Sequence, residues 1–190
     1  MQVMNMLNTK YFILHNPQTG KPVAQMNPAA FGPCWLVKGI KYVANGKDEM
    51  KALDSTNLRD TAVVQIKFKA TVGVDPIYDS TASIKLIENK NDLIQYEFKA
   101  NTNQFAVLSE IYYSKGWDAY VDGKQAEIIK TNYALRGLSI PAGSHKIELK
   151  FEPKSYAIGD TINLISSLLI YLIVFGGLFM AWKKSRLASV

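Results

Sequence analysis

Residues 117–151 read WDAYVDGKQAEIIKTNYALRGLSIPAGSHKIELKF, and this stretch decides the fold. Its last segment, His145 to Phe151, alternates strictly. Ile147, Leu149 and Phe151 fall on one side and Lys146, Glu148 and Lys150 on the other, the period-two pattern of a half-buried strand. Trp117 to Val121 runs into Asp122-Gly123, a pair that accepts the positive φ angles of a tight hairpin turn, and Gln125 to Ile129 is expected to return from it. Tyr133 to Ile140 is the next expected strand, and Pro141 to Ser144 the turn before the last one. Pro153 then ends pairing because it has no N–H to give to a ladder.

Upstream the same grammar continues. Leu93 to Ala100 puts Ile94, Tyr96 and Phe98 on one face and Gln95, Glu97 and Lys99 on the other; Ser83 to Ile87 has a similar pattern. Phe105 to Tyr113 is longer and more apolar, as expected of a central strand. Ala62 to Phe68 is expected to be a strand with Ile66 and Phe68 on one face, and Trp35 to Val43 a strand interrupted at Gly39. Lys47 to Leu53 reads as a short helix capped by Asn45 or Gly46, with Met50 and Leu53 inward and acidic residues at its positive end. No βαβ rhythm or internal repeat is evident. The fold class is mainly β: an antiparallel β-sandwich or jelly-roll-like ectodomain followed by one C-terminal transmembrane helix.

That helix is the uncharged run INLISSLLIYLIVFGGLFMAW, Ile162 to Trp182. At about 1.5 Å rise per residue it spans roughly 30 Å, the thickness of a bilayer's hydrocarbon core. Lys183, Lys184 and Arg186 follow at once and favour a cytoplasmic C-terminus, with Trp182 and Tyr156 suited to the two interfaces. The organisation is thus an irregular lead-in over 1–60, an extracytoplasmic antiparallel β-domain over 61–155, a transmembrane helix over 162–182 and a basic cytoplasmic tail over 183–190. Ser166-Ser167 and Gly176-Gly177 permit close approach of other transmembrane helices, and the lack of charge in the span argues against an ion path. The opening MQVMNMLNTKYFILHNPQTG does not read as a signal peptide, so either the chain is a piece of a larger membrane protein whose earlier helices deliver it, the favoured expectation, or it stays inside.

All 16 acidic residues and all but three of the 22 basic ones precede Ile162. That near balance, without an arginine-rich stripe, argues against nucleic-acid binding. Cys34 is the single cysteine, excluding an intrachain disulfide, and reads as a small core residue. His15 and His145 with one cysteine make no convincing zinc set, and neither a phosphate loop nor a nucleophile elbow occurs, so no cofactor, metal or catalytic residue is expected. Glycoside chemistry needs only two carboxylates, but Asp122 belongs to a turn and Asp118 to an exposed strand face, while Glu110 interrupts an apolar strand and is either on the exposed face or buried in a structural ion pair with Arg136 as partner. The candidate ligand-binding residues are Tyr112, Tyr113, Trp117 and Tyr120, near Lys115. Aromatic faces stack on sugar rings and neighbouring polar groups bind the hydroxyls, but the same aromatics also suit a sandwich core.

The stretch Ser109 to Ser167, with its SEIYYxxGWxAYxDG signature joined to FEPKSY and a terminal helix, resembles the C-terminal end of the YfhO-type bacterial membrane proteins. LNTKYFIL (residues 7–14) and NPAAFGPCWLVKGIKYV (residues 27–43) resemble the stretches leading into it. The resemblance implies a large polytopic, glycosyltransferase-like parent in the bacterial plasma membrane, acting in cell-envelope glycosylation. In such enzymes the catalytic carboxylates lie in loops between early helices, and nothing here aligns with that region. The implied role is a non-catalytic C-terminal β-domain and last helix that positions glycan or shapes the site. The implied partners are the lipid bilayer, other transmembrane helices, and an envelope glycan or lipid-linked sugar. The alternatives are a stand-alone membrane-tethered carbohydrate-binding module and a purely structural domain.

Overall fold

The computed structural model describes residues 1–187; residues 188–190 and the side chains of Lys154, Ala157, Ala181, Lys184, Ser185, Arg186 and Leu187, which include part of the basic tail, lie outside what is described. The chain forms two compact units, Met1–Phe151 and the segment from Glu152 onward.

In the first unit a short helix α1 (Gln2–Met6) precedes a hairpin of β1 (Tyr11–His15) and β2 (Pro22–Met26). Then come β3 (Cys34–Val37), β4 (Gly39–Val43), α2 (Gly46–Ser55), β5 (Thr61–Gln65) and a short helix α3 (Lys69–Val72). The remaining strands are β6 (Ser83–Asn89), β7 (Leu93–Ala100), β8 (Gln104–Ile111), β9 (Trp117–Val121), β10 (Lys124–Ala126), β11 (Ile129–Thr131), β12 (Leu135–Ile140) and β13 (Gly143–Phe151). They build a five-stranded antiparallel sheet, β10-β9-β13-β7-β6, and a six-stranded sheet, β3-β8-β12-β11-β5-β4. The mainly β, antiparallel class expected from the alternation is what forms.

Two apolar cores explain why β8 is buried along most of its length. Ala106 and Leu108 join Leu138, Ile140, Ile94, Tyr96, Phe98, Ile147 and Leu149 between the two sheets. Phe105 and Val107 point the other way, into a core with Leu135, Val63, Leu53 of α2 and Met6 of α1. Successive strand side chains point to opposite faces, so the six-stranded sheet is covered on both sides: by the second sheet, and by helices.

Several expectations need correction. A βαβ unit is present after all, since β4 and β5 pair in parallel across α2, Gly39 opposite Thr61 through Val43 opposite Gln65. β5, the inner strand of that pair, is buried on both faces, as parallel strands usually are, which accounts for the unalternating Ala62-Val63-Val64. The strand expected to reach Phe68 stops at Gln65 and turns into a 3-10 helix, Ile66–Phe68, leaving Ile66 exposed. Helix α2 is capped by Asn45, whose side chain accepts from the N–H groups of Lys47 and Asp48. Leu53 points inward, but Met50 is 51% exposed and Glu49 is fully buried in its place.

The return from Asp122-Gly123, both at positive φ, lasts only over Lys124–Ala126. The chain then crosses to the other sheet, and a second tight turn, with Asn132 and Tyr133 at positive φ, joins β11 to β12. The lead-in residues 1–60 supply β3, β4 and α2 to the main fold. Cys34 is half-buried against the inter-sheet core, and burial pushes its thiol up to about 12, consistent with a packing role.

The second unit is one helix, α4 (Lys154–Leu187), starting directly after Pro153. Its apolar span is Ile158–Met180, 23 residues with a mean hydropathy of 2.2, beginning four residues before the expected start. At that length it reaches roughly 35 Å, enough to cross a bilayer. Ser167 donates its hydroxyl to the Asn163 carbonyl one turn back, which satisfies a polar group within apolar surroundings.

A hollow at the β8–β9 connection

The connection from β8 to β9 gathers most of the aromatic candidates. The Tyr112 N–H donates to the Ala134 carbonyl, holding the start of the loop against the β12 end of the sheet. Gly116, at φ 108, turns the chain into β9. Tyr112, Tyr113, Ser114, Trp117, Asp118, Gln125, Ala126, Glu127 and Ile128 then surround an open hollow of about 470 Å³. Tyr113 is 55% exposed, whereas Trp117 is half-buried. The Trp117 ring lies 5.3 Å from that of Phe151, and the Arg136 guanidinium stands 4.4 Å from its centroid.

Arg136 is the residue sequence reasoning undervalued. It is buried on the β12 face that looks toward the second sheet, and its Nε donates to the Ile111 carbonyl at 3.0 Å. Opposite it, β8 bulges: Leu135 pairs with Ile111 but Arg136 pairs with Leu108, so Ser109 and Glu110 are extra. Ser109 uses the irregularity, its Oγ lying 2.6 Å from the Gly32 carbonyl and 3.0 Å from that of Met6. Burial lowers the Arg136 pKa, and the neighbouring Glu110 and Tyr96 oppose that shift. Glu110 and Arg136 thus feel each other's field, but among the described ion pairs they form no direct bridge. The guanidinium instead pins the end of β8 and supports Trp117 from within.

Tyr120 is not brought to the hollow. In β9, Trp117, Ala119 and Val121 face the core, while Asp118 and Tyr120 face outward. Tyr120 lies opposite Glu148 and Gln125, with the Lys150 ammonium 5.1 Å from its ring. Asp118 shares that outer face and also lines the hollow, so the two surfaces meet along β9. Asp122 holds the hairpin: its carboxylate lies 2.6 Å from His145 Nδ1 and accepts the Lys146 N–H at 2.8 Å. Among the described residues no three His, Cys, Asp or Glu side chains are grouped to hold a metal ion.

A mainly β unit joined to a helix able to cross a bilayer is the architecture of a membrane-anchored domain. The family model described as bacterial membrane protein YfhO matches residues 54–163, more than half of the chain, and the chain belongs to that family. A Bacillus subtilis (strain 168) protein described as uncharacterized protein YfhO is 36% identical over 85 residues, 45% of this chain and 10% of that protein. The chain therefore spans only about a tenth of that relative's length. No solved structure matches it.

Proposed function

We propose that the Met1–Phe151 unit is a non-catalytic, extracytoplasmic accessory domain of a YfhO-type membrane protein, and that it positions a glycan or lipid-linked sugar for cell-envelope glycosylation. Helix α4 would anchor it, with the basic C-terminal end in the cytoplasm. The supporting observation is the hollow itself, where exposed Tyr113 and the Tyr112 and Trp117 rings stand beside the polar Ser114, Asp118, Gln125 and Glu127. Rings of this kind stack on the apolar faces of sugars, and short polar side chains bind their hydroxyls. A polymer leaving the hollow past Asp118 would meet Tyr120 two residues further along the same outer face of β9. Lys183, Lys184 and Arg186, which follow the apolar span directly, favour the proposed orientation.

A second reading, a structural domain, draws on Trp117 being held between Phe151 and Arg136 as core aromatics are. Titration of the full chain in nanodiscs with envelope oligosaccharides separates the two. Saturable binding weakened about tenfold or more by Tyr113→Ala, a loss of about 1.4 kcal/mol, supports the glycan role. Absence of saturable binding, or binding indifferent to Tyr113→Ala, leaves the structural reading.

A further inference from the structure

The β1–β2 hairpin is the least globular part of the first unit. Every one of its ten strand residues except Phe12 is exposed. Its register puts Tyr11, Ile13, Ala24 and Met26 on one face and Phe12, Leu14, Val23 and Gln25 on the other. Tyr11, Ile13, Leu14, Val23 and Met26 are all exposed, Ile13 by 74%, so apolar side chains stand free on both faces. A lone two-stranded hairpin is marginal in water, and an apolar exposed patch marks a contact surface.

The hairpin is nonetheless anchored at its base. Buried Asn27 donates from Nδ2 to Asn5 Oδ1 and to the Thr9 carbonyl, and the Asn27 N–H reaches the Lys10 carbonyl. At the other end the turn is polar and closed on itself, the Gly20 and Asn16 N–H groups donating to the carbonyls of Asn16 and Lys21.

Charge indicates the occupant. No Asp or Glu occurs before Asp48, while Lys10, Lys21, Lys38, Lys41 and Lys47 do, and Lys10 and Lys21 immediately precede the two strands. The chain carries its own candidate membrane span, so a bilayer is tethered to this unit. Unpaired strand edges cannot enter the hydrocarbon core, which limits such a hairpin to the interfacial zone. Lysines at its ends would extend to the headgroups while their stems remain in apolar surroundings.

We propose that the β1–β2 hairpin lies in the interface of an anionic lipid bilayer as a second membrane contact of this chain, with the Tyr11, Ile13 and Met26 face toward the acyl chains. The test uses the full chain in vesicles of phosphatidylcholine with about one-third phosphatidylglycerol, a mixture whose negative surface attracts basic segments. In a Cys34→Ala background, Ile13→Cys carries an environment-sensitive fluorophore, and Met50→Cys on α2 serves as the exposed control. Spin-labelled lipids should quench the label at position 13, more strongly from shallow than from deep acyl positions, and leave position 50 unaffected. The quenching should be lost in the Lys10→Glu/Lys21→Glu variant. A label at position 13 as wet as that at position 50 would overturn the proposal. So would one shielded from water but untouched by lipid quenchers, which would mean a protein covers the hairpin. Quenching that survives the two lysine changes would overturn the assignment to an anionic surface.

Discussion

Glu49 offers a sharp test of how α2 is fixed to the sheet. Its side chain is 0% exposed and accepts from Gln65 Nε2 at 2.7 Å and from the Tyr133 N–H at 2.8 Å. One carboxylate thus ties the helix, the last residue of β5 and the positive-φ turn between β11 and β12. Glu49→Ala leaves two donors without an acceptor. Each such donor costs about 1–3 kcal/mol when buried, and removal of the carboxylate's own desolvation penalty offsets part of the sum. Tyr133 is partly exposed and can take a water, so the net loss is set at about 2–4 kcal/mol. For a domain of this size that lowers the melting temperature by roughly 4–16 °C. Glu49→Gln keeps one carbonyl oxygen for the Tyr133 N–H and lets Gln65 turn its amide, so it should cost less than half as much. The assay is thermal unfolding of the full chain in detergent, followed by the β-sheet circular dichroism signal. An Ala variant within about 0.5 kcal/mol of wild type, the range of an ordinary surface change, would refute the reasoning. A Gln variant as damaged as the Ala one would do the same.

Gly137→Ala should destabilise by about 1–3 kcal/mol, because a Cβ there would stand 2.5 Å from the Phe105 ring; Phe105→Leu in the same chain should recover part of the loss in the same melt. The Asp122–His145 tie should make stability bell-shaped in pH. The hydrogen bond to Asp122 raises the His145 pKa, so its contribution is full below about pH 6.5 and fades as pH rises through that raised value. The same bond and the Lys146 N–H lower the Asp122 pKa, so its contribution is full above about pH 4 and fades as pH falls through that lowered value. Melting temperatures of wild type and His145→Gln should therefore differ most between those limits; a constant difference from pH 4 to 9 would contradict the tie. Arg136→Met should loosen the end of β8 and the Trp117 ring, seen as a shifted tryptophan emission; an unchanged spectrum would mean the guanidinium does not support that ring.

Strands with one wet face could be read from their residues. Leu93–Ala100 was found with its bounds and its inward face, because polar and apolar residues alternate without exception from Ile94 to Lys99. The Asp122-Gly123 turn was equally plain, since few pairs accept two positive φ angles. The six-stranded sheet was harder to read because both of its faces are dry, which erases alternation. Ala62-Val63-Val64 does not alternate, and such a run is the usual mark of a parallel strand buried on both faces. The burial of Glu49 is hard to read because a carboxylate on a helix is normally solvated; its spacing from Ala52 and Leu53, three and four residues on, is the available signal. The return strand after Gly123 is shorter than its residues suggest because a crossing between sheets leaves no compositional trace in Glu127-Ile128. At the hollow, the clustering of Tyr112, Tyr113 and Trp117 followed from their proximity in sequence. The separation of Tyr120 required knowing which side of β9 faces the core.

The membrane arrangement is tested most directly by protease treatment of intact cells and of inverted vesicles carrying the full chain with a C-terminal reporter, together with alkaline carbonate extraction. The expected result is a chain that resists carbonate, a β-domain cut only from outside, and a reporter cut only in inverted vesicles. Release of the chain by carbonate, or a reporter cut in intact cells, would contradict it.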